Sequence, residues 1–485
     1  MTVAAPAAPV RPQRVLRLRD VVLFNVVAVL GLRWLSTAAR AGPGTLALWL
    51  LAAALFFVPQ GLAVLALSAR FPTEGGIYTW ARETLGDAHG FFCGWCYWIN
   101  NVLYYPNLLI STAVIATWVV GKGDTGLADN RLYVLTATLV ALWGAVAVNV
   151  AGAGRGKWLQ NVGALGTYIP ATLLVVVGVF AAVTGPPANA FTRSSLTPHL
   201  SNLAALNLWA SIAFAFSGME LSAAMGDEVV DAARTMPRAV LIAAPLIAAA
   251  YILGSASMLW LVPSAQVNIT SGFIQGIAIG AARIGPHVAW IGAAAAALYT
   301  IGNIGGVGAW LVGPARVAFV IGLDRYFPPA FGKLHPKYGT PYVAIMVPAV
   351  LATILLGVAL LGKGTTVERA YLILLDTQIL LYFIPYLYLF VTFLLQFGVG
   401  ARARAATRAP LGEATRVGAR VPGGRPAAVV FGTSGLLMTA FAMILACIPP
   451  EGGEQAVLFL VKVLGGAGAF LVIGAVIYRN GGSAR

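Results

Sequence analysis

The stretch AVLGLRWLSTAARAGPG, residues 28–44, decides the fold because it places a charge inside an apolar run. The run begins at Val21 and continues for about 20 residues, the length that a membrane-spanning helix requires. Arg33 lies near its middle, just after Gly31, and small residues follow. A glycine beside an arginine inside a span predicts a helix that is interrupted inside the membrane and lines a cavity.

The composition is that of a membrane protein. Of the 485 residues, 59% are hydrophobic and only 10% are charged, whereas a soluble domain carries about a quarter charged residues. The net charge of +15 does not indicate nucleic acid, because the basic residues lie between the apolar runs, as in the short loops of membrane proteins. We therefore predict an integral membrane protein whose partners are membrane lipid and a small-molecule substrate.

Twelve apolar runs are long enough to cross a bilayer. They predict an all-α integral membrane protein with about 12 transmembrane helices, here called spans 1 to 12. The runs lie near residues 21–40, 45–69, 90–120, 130–152, 160–184, 203–226, 238–262, 285–313, 342–362, 370–397, 427–449 and 455–478.

The distribution of lysine and arginine predicts the orientation in the membrane. The two tails and alternate loops hold 22 of the 31 basic residues, and the opposite loops hold seven. Because cytoplasmic loops are enriched in Lys and Arg, we predict a plasma membrane protein with both termini in the cytoplasm. The loop 398–426 has six arginines and one glutamate, so it either fixes the topology as a solvated loop or binds anionic lipid headgroups.

Span 6 carries a second interruption. It reads Phe214-Ala-Phe-Ser-Gly-Met-Glu220, with Gly218 before the glutamate. Glycine-interrupted helices at the first position of each half indicate a transporter built from inverted repeats. We predict a cytosolic tail (1–20), two repeats (21–184 and 203–397), the basic cytosolic loop (398–426), two additional spans (427–478) and a cytosolic C-terminus (479–485).

Five short motifs follow one another within residues 17–395. They are FPTEGGIYTWAR (71–82), FAFSGME (214–220), RTMPR (234–238), YFPPAF (326–331) and PYLY (385–388). Together they make the chain resemble the amino acid permeases of the amino acid–polyamine–organocation superfamily, nearest the glutamate:GABA antiporter-like branch. The resemblance implies a five-plus-five inverted repeat, alternating access, and a substrate held between spans 1, 3, 6, 8 and 10 by backbone groups at the two breaks.

The resemblance also implies the site residues. Gly31 falls on the last glycine of the family's Gly-Ser-Gly turn, although Val29 and Leu30 depart from that pattern, and Phe214 matches the aromatic residue that closes over the substrate. Tyr97, Glu220 and Tyr386 match a cytoplasm-side gate. The predicted substrate-binding residues are Gly31, Leu32, Arg33, Asn100, Asn101, Phe214, Ser217, Gly218, Trp310 and Gln378.

The charged residues inside spans leave several interpretations open. Arg33 either binds a substrate carboxylate, which favours an acidic amino acid, or pairs with Asp376 or Glu220, or faces the outer vestibule. Glu220 either hydrogen-bonds to the freed backbone of span 6 or acts as a gate that titrates. Glu220 and Asp376 are the candidates for proton or charge coupling, since buried carboxyls in spans mark ion pathways.

These features predict a secondary active amino acid transporter, an exchanger that works by alternating access. We predict no enzyme activity, no cofactor and no metal. Cys93 and Cys96 have redox spacing, but they lie on an apolar helix without the further ligands of a zinc site. The alternatives are a polyamine or organic-cation carrier, and an amino acid sensor that binds without transporting.

Overall fold

The structure is a computed structural model that describes residues 16–71, 75–121, 123, 126–151, 153–198, 203–222, 229–323, 326–362, 366–399, 421–449 and 454–482. Most of the predicted tail 1–20 and of the basic loop 398–426 lie outside these residues. Within the described chain the regular structure is helical, and β-pairing is limited to an isolated bridge between Leu16 and Val229. The predicted all-α class is confirmed.

Ten of the predicted spans are continuous. In the described part of the chain, ten helices are long and apolar enough to cross a membrane. Span 1 is instead divided into two shorter helices, and the first helix of span 6 ends before the middle of the predicted run. The continuous spans are span 2 (Thr45–Arg70), span 3 (Asp87–Gly121), span 4 (Arg131–Val150), span 5 (Ala153–Thr184), span 7 (Ala232–Leu261), span 8 (Trp290–Leu323), span 9 (Tyr342–Leu361), span 10 (Val367–Phe397), span 11 (Gly424–Ala446) and span 12 (Glu454–Gly482).

Span 1 is broken where the sequence predicts. Its first half is Leu18–Val29 and its second half is Arg33–Arg40. Leu30 is extended, with φ −73° and ψ 101°, so the helical hydrogen-bond ladder cannot continue through it. The break therefore exposes backbone groups in the middle of the span.

Span 6 is broken at Gly218. Its first half, Leu203–Ala215, ends three residues before this glycine. Gly218 has a φ of +119°, and a Cβ atom placed on it would lie 3.1 Å from the carbonyl oxygen of Ala28 in span 1. Only glycine meets both demands without strain, so the residue that breaks span 6 also brings the two broken spans together.

The remaining packing places these breaks near the centre of the bundle. Span 3 packs against spans 8 and 10, and the second half of span 1 packs against the first half of span 6. In the most apolar part of span 3, 78% of the residues are buried within the protein, against 17% for span 12. Span 3 is thus central, and span 12 lies at the periphery.

Among the described residues, two further helices of nine or more residues were not predicted. Ile77–Leu85 lies in the segment interpreted as a loop between spans 2 and 3, and Gly272–Ile284 lies between spans 7 and 8. Both are too short to cross a bilayer, so a search for runs of about 20 apolar residues misses them. The second packs against spans 5 and 8.

Candidate functional site

Tyr251 of span 7 joins the two breaks. Its hydroxyl oxygen lies 2.6 Å from the carbonyl oxygen of Val29 and 3.0 Å from that of Ala215, and it accepts the N–H of Gly31 at 3.0 Å. The side chain is fully buried, and its ring stacks on Trp49 with centroids 4.4 Å apart. One side chain therefore provides a hydrogen-bond partner for backbone groups that have no helical partner at the breaks of both helices.

The second half of span 1 begins with backbone N–H donors at the break. The N–H groups of Trp34 and Leu35 donate to the carbonyls of Gly31 and Leu32. Of the N–H groups of Leu32 and Arg33, that of Leu32 has no hydrogen-bond partner among the described residues, and that of Arg33 interacts with the hydroxyl of Tyr299. Because they lie at a helix N-terminus, where the helix dipole is positive, they form a site suited to a carboxylate.

Arg33 lies at this same helix end. Its side chain is 2% exposed, its Cζ lies 4.1 Å from the ring centroid of Trp34 and 5.1 Å from that of Tyr104, and its Nε has no hydrogen-bond partner in the described chain. No described carboxylate lies within ion-pair distance of it. In this conformation the hypothesis of a pair with Asp376 or Glu220 is not met, and burial does not support an exposed position in a vestibule.

Aromatic contacts connect Arg33 to two other predicted site residues. The Trp34 ring meets Phe214 edge-on, with centroids 5.4 Å apart. On the other side of the guanidinium, Tyr104 lies 4.7 Å from the ring of Trp310. Spans 1, 3, 6 and 8 therefore contribute neighbouring side chains around the break of span 1.

Glu220 is surrounded by hydrogen-bond donors. Its Oε1 accepts from the hydroxyls of Tyr382 at 2.5 Å and Tyr97 at 3.4 Å. Its Oε2 accepts from the Tyr386 hydroxyl, from Gln60 Nε2 at 3.2 Å and from the N–H of Gly218 at 3.2 Å. The three residues of the predicted gate thus meet, and the carboxylate also stabilises the backbone of the span 6 break.

Two members of this cluster were not predicted. Tyr382 lies one helical turn before Tyr386 on span 10, and this spacing places both on one face. This four-residue spacing in the sequence could have indicated that Tyr382 accompanies Tyr386. Gln60 of span 2 bonds to both Glu220 and Tyr386, but a lone glutamine in an apolar run has no pattern that indicates its partners.

Asp376 lies apart from the Glu220 cluster. It is 1% exposed, and its Oδ2 accepts a hydrogen bond of 3.2 Å from Asn207 Nδ2 in the first half of span 6. The two carboxyls predicted for coupling share no hydrogen-bond partner within the described chain. Because the two carboxyl groups occupy different environments, a role found for one of them cannot be assumed for the other.

The remaining predicted residues are buried polar groups with unused hydrogen-bonding atoms. Asn101 Nδ2 donates to carbonyls of its own helix, those of Tyr97 at 3.0 Å and Trp98 at 3.4 Å. Partners are missing in the described chain for the atoms Asn100 Oδ1, Asn101 Oδ1, Ser217 Oγ and both amide atoms of Gln378. Buried polar atoms are rarely left without partners, and a bound ligand is one way to satisfy them.

The comparison with known sequences decides the family. A sequence model described as amino acid permease matches residues 18–469, which is most of the chain. The chain belongs to the amino acid permease family. It is therefore a multi-pass membrane protein of a transporter family, as the resemblance predicted.

Several bacterial transporters are similar to this amino acid permease. An uncharacterized transporter from Legionella pneumophila is 28% identical over 441 residues, which cover 90% of each chain. A glutamate/gamma-aminobutyrate antiporter from Lactococcus lactis is 22% identical over 83% of this chain and 77% of its own. A probable agmatine/putrescine antiporter from the same species is 23% identical over 70% of each chain.

Proposed function

We propose that this permease is a secondary active amino acid exchanger of the plasma membrane that works by alternating access. Both termini face the cytoplasm in this proposal, which is supported by the excess of Lys and Arg in the tails and alternate loops. The two breaks, at the first spans of the halves 21–184 and 203–397, support the inverted repeat. The antiporters among its relatives support exchange.

The observation that carries the proposal is the environment of Arg33. A buried guanidinium without a described counter-charge lies beside the N–H of Leu32, which has no partner among the described residues, at a helix N-terminus. Arginine binds carboxylates with two parallel hydrogen bonds, and an N-terminus adds donors and a positive dipole. An amino acid with a second carboxylate supplies one carboxylate to the backbone donors and one to the guanidinium, so we propose that an acidic amino acid is among the substrates.

The same charge gives a physical reason for exchange. A charge at the centre of a bilayer costs about 2.5–3.5 kcal/mol even on the mildest scale. When a substrate carboxylate pairs with Arg33, this cost falls, so the loaded protein changes conformation more readily than the empty one. A carrier whose empty form reorients slowly moves one substrate only in return for another.

A second candidate is a polyamine carrier. It is favoured by the similarity to an agmatine/putrescine antiporter and by the two buried carboxyls, Glu220 and Asp376. Against it, Glu220 is already occupied by five donors, and Arg33 would repel a dication. The acidic amino acid is therefore the first substrate to test.

The test is exchange in proteoliposomes loaded with a mixture of unlabelled amino acids, with equal pH on both sides. Labelled glutamate, leucine, arginine, GABA and putrescine are supplied outside in separate reactions. We expect glutamate uptake that requires internal amino acid. Uptake of putrescine alone would establish the polyamine carrier, and no uptake by folded protein would overturn the proposed transport.

Arg33→Gln tests the role of the guanidinium. We expect glutamate uptake to fall by more than about tenfold, a loss of 1.4 kcal/mol or more, with less effect on any neutral substrate. The matched control is Arg40→Gln, which removes the exposed arginine at the other end of the same half-helix. An equal loss for acidic and neutral substrates would assign Arg33 a structural role.

A further inference from the structure

Asp376 is a buried carboxyl group without a counter-charge. It is 1% exposed, and within the described chain its hydrogen bond comes from Asn207, a neutral amide, with no ion pair. An ionised carboxylate in such a place is costly, because one neutral donor does not replace its hydration. The geometry therefore favours the protonated, neutral acid in this conformation.

Glu220 provides the contrast within the same protein. Both of its oxygens accept hydrogen bonds, from three tyrosine hydroxyls, one amide and one backbone N–H. The carboxyl group is fixed in place by these donors. Asp376 has a single donor, so it is the buried carboxyl that is free to change its charge without breaking a network.

The position of Asp376 links it to the helices around the substrate site. Asn207 and Phe214 are seven residues apart on span 6, and Asp376 and Phe383 are seven apart on span 10. Asn207 contacts Asp376, and Phe214 contacts Phe383 with ring centroids 5.8 Å apart. Because both pairs run in the same order, the two helices are parallel, and seven residues span about 10 Å along each of them. Asp376 therefore lies about two helical turns from the level of Phe214, on the side where both helices begin.

The other ionisable groups near Asp376 leave its charge unopposed. Tyr371 on span 10 and Cys447 at the end of span 11 interact with it electrostatically, and tyrosine and cysteine ordinarily lose their protons only near pH 10 and 8.5. Span 6 faces it with Asn207. Lys462 of span 12, a helix that also packs on span 10, forms no ion pair with it in the described chain, and neither does Arg33 of span 1.

We propose that Asp376 is a proton-binding site that couples exchange to the pH gradient. In the closed conformation it holds a proton. When the protein opens to one face, water reaches the carboxyl, its O–H bond breaks, and the proton passes to the water of that compartment. When the protein opens to the other face, water of the second compartment returns a proton to the carboxylate, so one proton crosses the membrane in each cycle. The proposal rests on the proposed exchange function and adds a proton to its cycle.

The experiment compares proteoliposomes with equal pH on both sides and with one pH unit across the membrane, a tenfold ratio of protons. For the natural protein we expect accumulation of labelled substrate to change by up to about tenfold per pH unit if one proton moves per cycle. Asp376→Asn, which resembles the neutral acid in shape, is expected to exchange at equal pH and to lose this response. Asp376→Glu is expected to keep it.

The matched control is Thr377→Val, the neighbouring polar residue, whose hydroxyl bonds to its own helix at Ile373. We expect it to respond to the gradient as the natural protein does.

A gradient response retained by folded Asp376→Asn would overturn the proposal. Exchange by the natural protein that is unaffected by the gradient would also overturn it. If Asp376→Asn fails to fold, Asp376→Glu is compared with the natural protein over a range of equal pH values: a shifted pH dependence of exchange supports the site, and an unchanged one counts against it. Absence of exchange at equal pH in the natural protein would instead refute the proposed function.

Discussion

The hydroxyl oxygen of Tyr251 lies 2.6 Å from the carbonyl oxygen of Val29, and this contact anchors the break of span 1 to span 7. The same oxygen lies 3.0 Å from the carbonyl of Ala215 in span 6. A hydroxyl has one hydrogen to donate, so the two carbonyls share it. Span 7 therefore holds both breaks through a single group.

Replacing Tyr251 with phenylalanine should loosen both breaks. Two buried carbonyls and the N–H of Gly31 lose a partner, and a buried polar group left unsatisfied costs about 1–3 kcal/mol. We expect a lower thermal unfolding temperature and a loss of exchange of about tenfold or more. The matched control is Tyr133→Phe. The Tyr133 hydroxyl of span 4 donates to the carbonyl of Ala113 in span 3, away from the breaks. Equal effects of the two changes would argue against a special role for Tyr251.

Replacing Gly218 with alanine should be poorly tolerated. The φ of +119° is unfavourable for alanine, and its Cβ would lie 3.1 Å from the carbonyl oxygen of Ala28. Strain of this kind costs about 1–3 kcal/mol, measurable as a lower unfolding temperature in detergent. Gly357 of span 9 is the control, because it is helical and no atom lies within 4 Å of an added Cβ. Gly357→Ala is expected to leave stability unchanged or raise it.

The tyrosines around Glu220 should differ in importance. Tyr382 donates to Oε1 at 2.5 Å, whereas Tyr97 donates to the same atom at 3.4 Å. Hydrogen bonds to a charged group contribute about 1.5–3 kcal/mol, and they weaken with distance. We expect Tyr382→Phe to lower stability and exchange more than Tyr97→Phe. The reverse order, measured in the same detergent and liposomes, would show that the 3.4 Å contact tightens in the working protein.

Lysine at position 33 is not expected to bind a substrate carboxylate as well as Arg33 does. It retains the charge but not the planar fork that binds a carboxylate through two bonds, and it stacks less well on aromatic rings such as Trp34 and Tyr104. We expect Arg33→Lys to raise the KM for an acidic amino acid by about tenfold with a smaller change in the maximal rate. A KM equal to that of the natural protein would mean that charge alone is sufficient.

The sequence predicted those features that have a local pattern. Long apolar runs gave the spans, and Gly31 and Gly218 beside charged residues gave the two breaks. Tyr97, Glu220 and Tyr386 were grouped through the resemblance, and they do meet.

Contacts that depend on distant partners were not predictable. Tyr251 is 222 residues from Val29, and nothing in span 7 distinguishes it from a tyrosine in a core. The pairing of Asn207 with Asp376 was missed for the same reason, and the alternative in which Arg33 pairs with Asp376 or Glu220 corresponds to no ion pair among the described residues. A charge in an apolar run indicates that a partner is needed, but the packing of the helices determines which group supplies it.

The unpaired charge of Arg33 has an electrical consequence. If the empty site is positive and the site with a bound carboxylate is neutral, then the membrane voltage acts mainly on the empty protein. Moving one elementary charge through the whole field changes the energy by about 2.3 kcal/mol per 100 mV. A voltage that is negative inside would favour the conformation of the empty permease in which Arg33 lies nearer the inner face and the site is open to cytoplasmic substrate. The resting potential would then set which compartment loads first.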